Sequence, residues 1–131
     1  MSELWEHSAL ELAAMIRGGS TTSRAVVEEY FPRVDAVNGD LNAVVRRLDD
    51  DALAVADAAV ARGGELDVFH GGPMTVKENI DFVGSPTTRG VVAMTDALPP
   101  IDAPVTTRLK AAGAIPIGRT NLPDFGLRGR T

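Results

Sequence analysis

Lys77 is one of only two lysines in a chain with eleven arginines, and it stands in the run Gly71-Gly72-Pro73-Met74-Thr75-Val76-Lys77-Glu78-Asn79-Ile80-Asp81. Where a positive charge only has to solvate a surface, this sequence chooses Arg, whose guanidinium keeps its proton in a protein. A lysine retained at the end of an apolar run points to a need for an ionisable amine, and an amine that can lose its proton can act as a base. To do so near neutral pH it needs burial or a neighbouring cation to bring its pKa down from about 10.4. Glu78 and Asp81 push the other way. In an extended strand, however, Glu78 faces away from Lys77, while Asn79 shares its face and offers neutral hydrogen bonds. The plainer alternative is a solvated lysine following a strand, and for a residue taken on its own that is the commoner case.

The neighbouring residues change that balance. His70-Gly71-Gly72-Pro73 leads into Val76-Lys77-Glu78-Asn79-Ile80-Asp81 and then Gly84-Ser85-Pro86-Thr87-Thr88-Arg89-Gly90; a second block follows at Gly113-Ala114-Ile115-Pro116-Ile117-Gly118-Arg119-Thr120-Asn121-Leu122-Pro123. Two blocks in this order resemble the amidase signature family, serine amide hydrolases with a Ser, cis-Ser and Lys triad. The resemblance implies that Lys77 is the base of the triad. It places the cis-Ser in a Gly/Ser-rich loop and the nucleophilic Ser in a later Gly-Gly-Ser segment, both beyond the second block. Arg119 stands where the family often has Lys, so charge rather than proton transfer matters at that position. The implied fold is α/β: the N-terminal part of a mixed β-sheet covered by helices on both faces, opening with two to three helices. Residues 1–131 then form the N-terminal portion of a single amidase domain, with a helical lead-in over 1–64 and the start of the signature region over 65–131.

The elements that must carry Lys77 can be read locally. Ser8 with Glu11 three residues on forms a capping box; Leu10, Leu12, Ala13, Ala14, Met15 and Ile16 fill a short helix that Gly18-Gly19 stops. A second helix starts after the Ser20 to Ser23 hydroxyl cluster and is expected to end at Asn38-Gly39, with a kink or break near Glu28 to Phe31 caused by Pro32. Ala43 to Leu48 reads as a strand. Asp49, Asp50 and Asp51 then sit at the positive end of a helix that runs to Gly63-Gly64, a better account of the acid run than a metal site. Gly72 to Lys77 reads as a strand and Gly84 to Gly90 as a turn region. A helix starts at Asp102 or Ala103 with Pro104 in its first turn, Gly113 closes it, and Ala114 to Gly118 is a strand. Pro116 should lie at an edge, at a bulge, or with its nitrogen away from a neighbour. Strand, helix, strand implies a parallel pair.

Composition narrows the partners. Of the 131 residues 44% are hydrophobic, the net charge is −5 and the pI is near 4.9, which argues against nucleic acid or an anionic membrane. No cysteine is present, so a disulfide framework, a thiolate nucleophile and a cysteine metal site are excluded within this chain. No apolar run approaches membrane-spanning length, and a cytoplasmic protein is the simplest reading. No metal or cofactor is called for. His70 is read as a turn or packing residue and His7 as a solvated one. Gly71-Gly72-Pro73 lacks the Gly-Lys-Ser/Thr ending of a phosphate loop. Ser85, Thr87 and Thr88 are turn residues at least as readily as substrate contacts, and Met74 and Met94 are packing residues.

Three functions stay open. The first is hydrolysis of a carboxylic amide through an acyl-enzyme with Lys77 as base, the substrate being a small-molecule amide of unspecified kind. The second is a glutamine-dependent amidotransferase component of the A type, which releases ammonia for a partner. The third is a truncated, non-catalytic structural or interaction module. On any of them, the remainder of an amidase chain or another chain is expected to complete the sheet. The chain by itself is expected to show no amidase activity, because neither a nucleophile nor oxyanion donors are identified in it. Turnover of several short amides by the verified 131-residue protein, abolished by Lys77→Ala, would overturn that expectation.

Overall fold

A computed structural model describes residues 3–61 and 67–129. Its described elements run α1 (Ala9–Arg17), α2 (Ser23–Leu41), β1 (Val44–Arg47), α3 (Asp49–Ala61), β2 (Pro73–Lys77), α4 (Pro104–Ala111) and β3 (Ile115–Thr120), with short 3-10 turns at Leu4–Glu6, Val92–Met94 and Asp124–Gly126. The three strands form a mixed sheet in the order β1-β3-β2, with β1 antiparallel and β2 parallel to β3. The α/β class and the parallel pair joined through α4 are as the sequence implies. No helix among the described residues is long and apolar enough to cross a membrane.

Local signals set most of the boundaries. The Ser8 hydroxyl accepts from the Glu11 amide at 3.3 Å while the Glu11 carboxylate accepts from the Ser8 amide at 2.7 Å, closing the capping box on α1. Those bonds, the backbone one first, hold the Glu11 carboxyl below its ordinary range. Thr22 caps α2 through the amide of Ala25 at 3.1 Å. Asp49, Asp50 and Asp51 fill the first turn of α3, where the helix dipole favours them. Pro104 stands at the first position of α4, and Lys110 ties its last turn to Asp102 at 2.7 Å. Burial, the largest single influence, raises the Asp102 carboxyl, but bonds from Lys110 and from the Val83 amide outweigh it and leave the group below its ordinary range.

In α2 there is no break at Pro32, and the helix does not stop where expected. Glu28 and Pro32 are both exposed, so the Glu28 carbonyl that loses its amide partner can take water instead. The helix also passes Asn38-Gly39 and ends at Leu41, because Asn42 rather than Gly39 adopts the left-handed conformation, at φ 47°. Asn38 has another task. Its side chain donates to the carbonyl of Val44 and accepts from the amide of Val44, both at 2.8 Å, and so fixes where β1 begins. The expected stop of α3 at Gly63-Gly64 lies outside the described residues.

β3 is the central strand and is buried from Ile115 to Arg119. Ile115 and Ile117, two apart and so on one face, pack with Val27 of α2 and with Ala52 and Ala56 of α3. Leu48, Val76 and Phe82 form a second cluster, joined by Met74 and Ile80, around the strand that carries Lys77. Pro116 occupies this central strand rather than an edge, and the sheet accommodates it with a bulge: Met74 pairs with Pro116 but Thr75 pairs with Gly118, skipping a residue of β3.

The turn that follows β2 is pressed onto the exit of β3. Gly90 has φ 74°, and a Cβ there would stand 2.3 Å from the carbonyl oxygen of Leu122 and 2.9 Å from that of Pro123. Both the backbone conformation and the close approach require glycine. Gly90→Ala is therefore expected to lower stability by about 1–3 kcal/mol, read as a lower denaturant midpoint. An unchanged midpoint would show that the turn can move away from β3 at no cost.

Candidate active site

Lys77 ends β2, and its side chain is exposed. Its ammonium donates to the backbone carbonyl of Asn121 at 2.8 Å, just past the end of β3. Strand alternation points instead to Asn79 as the partner. The strand stops at Lys77, however, and Glu78-Asn79 form a turn, so alternation no longer governs which side chains meet. Glu78 is nonetheless held off the amine, by different means. It is buried, its carboxylate accepts from the hydroxyl of Thr88, and its carbonyl accepts from the amide of Arg89 at 3.1 Å. Lys77 and Glu78 make no ion pair among the described residues.

The residue that organises this corner is Arg119, which is fully buried. Its Nε donates to the carbonyl of Val76 at 3.2 Å, and its Nη2 donates to the carbonyls of Lys77 at 3.2 Å and Ile80 at 2.8 Å. Its Nη1 is buried with no hydrogen-bond partner among the described residues. The guanidinium also lies 5.5 Å from the centre of the Phe82 ring. Burial, the largest influence, pulls the Arg119 pKa down, opposed by the charges of Glu78 and Asp81. The sequence assigns Arg119 a charge role without a place for it. The place is inside the β2 turn, and the signal that points to it is its position in the second block, one residue after Gly118.

Other candidate residues fall where turn and packing roles put them. His70 is buried, in the turn before β2, where the amide of Gly71 donates to the carbonyl of Gly113 at 2.9 Å. A hollow of about 240 Å3 opens between α3 and α4, with His70 and Lys110 in its walls; Lys77 is not among the residues lining it. Lys110, the other lysine, pairs with Asp102 and lies 4.0 Å from the centre of the Phe82 ring, a structural task. Thr88 serves Glu78, whereas the hydroxyls of Ser85 and Thr87 are buried with no hydrogen-bond partner among the described residues. Met74 packs beside Val76. His7, read as solvated, is half-buried and acts on the carboxylate of Glu11. Asp49 is engaged by Arg47, at 2.9 Å from its Nε, and no cluster of three metal-ligating side chains occurs among the described residues.

A family model described as Amidase matches residues 25–131, which include Lys77, the turn after it and the strand bearing Arg119. The chain belongs to the amidase family. It is 49% identical, over 98% of its length, to an indoleacetamide hydrolase from Bradyrhizobium diazoefficiens, of which it spans 25%. It is 37% identical, over its whole length, to the A-type component of the glutamyl-tRNA(Gln) amidotransferase from Renibacterium salmoninarum, of which it spans 26%. Its fold superposes on the peptide amidase from Stenotrophomonas maltophilia with a TM-score of 0.84 and 31% identity, covering 92% of this chain and 26% of that one. The chain thus spans about a quarter of the length of the curated amidase relatives it matches. The resemblance carried by the two sequence blocks and the α/β fold it implied are both borne out.

Within this amidase corner the link between Thr88 and Glu78 can be tested on its own. A hydrogen bond to a charged group contributes about 1.5–3 kcal/mol, and a buried carboxylate that loses its donor bears the desolvation cost uncompensated. Thr88→Val should destabilise the protein by about that amount in chemical denaturation, and Thr88→Ser should recover most of it. Equal midpoints for the Val and Ser variants would show that the hydroxyl contributes nothing.

Proposed function

We propose that this chain is the N-terminal portion of one amidase domain, with a lead-in over 1–64 and the start of the signature region over 65–131, and that the complete enzyme hydrolyses a carboxylic amide with Lys77 as the base. The observation that carries the reading is the disposition of Lys77: an exposed amine held at 2.8 Å by a neutral carbonyl, with the adjacent acid buried and bound elsewhere. Among the described residues no acid forms an ion pair with that amine. The burial that base chemistry calls for is not supplied by the described residues, and the open side of Lys77 is where the rest of the domain would close over it.

The proposed chemistry follows from that arrangement. Lys77 accepts the proton of a cis-Ser hydroxyl, which in turn accepts the proton of the nucleophilic Ser as its oxygen attacks the amide carbon. The amine leaves with a proton returned along the same relay, and water then hydrolyses the ester to the carboxylic acid. Both serines are assigned to the remainder of the polypeptide. Hydrolysis is preferred to glutamine-dependent ammonia release because the chain is 49% identical to the indoleacetamide hydrolase and 37% to the amidotransferase component. Its partners on this reading are a small-molecule amide and the segment that completes the sheet.

Lys77→Arg keeps the charge and much of the bulk but cannot take up a proton, while Lys77→Ala loses both. Proton relay contributes about 10²–10⁴-fold, so in the complete enzyme both variants should lose turnover on that scale. Lys77→Arg with turnover within a few-fold of the parent, measured at its optimum pH, would remove the catalytic assignment.

A further inference from the structure

We propose that Arg119 is the positioning residue for Lys77, its guanidinium holding the carbonyls of Val76, Lys77 and Ile80 so that the amine is delivered to a fixed point at the exit of β3. This deepens the reading of Lys77 as base and rests on it. Three observations converge. The guanidinium is fully buried, and the hydrogen bonds from its Nε and Nη2 all go to the backbone at Lys77 or on either side of it. The carbonyl of Lys77 also accepts from the amide of Ile80 at 3.0 Å, so Arg119 braces a single tight turn rather than two separate segments. Finally, the end of β3 grips Lys77 from both sides. Thr120 accepts from the amide of Glu78 at 3.0 Å, Asn121 accepts from the Lys77 ammonium, and Asn121 is itself tied to the carbonyl of Asn42 at 2.6 Å and to that of Ala43 at 2.9 Å.

The consequence for catalysis is specific. Arg119 is placed to touch the backbone that carries the base and not the substrate, so its loss should loosen where the amine sits without altering substrate affinity. A misplacement of about 1 Å can cost on the order of 10²-fold in rate. An ammonium at the same position keeps the charge and three N–H donors, and should hold part of the turn.

The test uses the complete enzyme and reads kcat, KM and the folded fraction together. Arg119→Met, of similar length but with no donor, is expected to lower kcat by about 10-fold or more with KM within about two-fold, after scaling to the folded fraction. Arg119→Lys should keep part of the kcat that Arg119→Met loses. In a Lys77→Ala background, Arg119→Met should cause no further loss, because it acts only through the residue already removed. If Arg119→Met does not fold, Arg119→Gln, neutral and still a donor, takes its place in the same cycle. A loss carried by KM, a loss that vanishes on scaling to the folded fraction, or an additive loss in the Lys77→Ala background would each overturn the proposal. Near-parental activity of Lys77→Ala alone would instead sink the reading of Lys77 as base, which keeps the two failures distinguishable.

Discussion

Burial of the Arg119 guanidinium is the constraint on which the described corner of the molecule depends. A charge taken out of water costs several kcal/mol unless its donors find partners, and here the carbonyls of Val76, Lys77 and Ile80 meet those of Nε and Nη2. The face of Phe82 and the charges of Glu78 and Asp81 add attraction without a direct ion pair. Those three carbonyls can converge only if the chain turns sharply straight after Lys77. The turn therefore follows from the arginine as much as the arginine's burial follows from the turn.

From that turn the rest of the local architecture can be ordered. Reversal of the chain at Glu78 and Asn79 takes Glu78 inward, where it needs a donor, and Thr88 supplies one from the next loop. The loop must then return close to Glu78, which it does through the amide of Arg89. That return brings Gly90 against Leu122 and Pro123, where no side chain fits. Lys77 is left at the mouth of the corner, carried by a strand whose neighbour, β3, is buried from Ile115 to Arg119. A flexible side chain is thus anchored at its backbone by a rigid element, the arrangement the proposed base chemistry would need to hold its amine in register.

How much of this the sequence discloses depends on how local the cause is. The capping box of Ser8 and Glu11, the acid run that opens α3, Pro104 at the head of α4 and the parallel pair either side of it are all legible, since each rests on residues a few positions apart or on the general rule for strand-helix-strand units. The end of α2 is not, because Asn38 is recruited by Val44 and the left-handed position passes to Asn42. For Pro116 the sequence leaves an edge, a bulge or a turned-away nitrogen open, and the bulge and its place in the central strand are set by which strands pair. Lys77 can be picked out from composition and from the motif around it. Its contact with Asn121 cannot, because that contact spans 44 positions and depends on the ladder between β2 and β3.

Composition misleads in one respect. The abundance of arginine suggests that this chain uses it to solvate surfaces, yet Arg119 is fully buried while Lys77 is exposed. The chemistry of the two side chains explains the division. A guanidinium starts so far above neutrality that even the downward pull of burial leaves it protonated, and its donors are spread over three nitrogens, which suits carbonyls that do not share a point. An ammonium in the same interior would be the group more easily driven to give up its proton, a hazard for an anchor and an asset for a base. Arginine inside and lysine at the mouth therefore put the side chain with donors on three nitrogens where carbonyls must be held, and leave at the open side the side chain to which the proposed chemistry gives the base role.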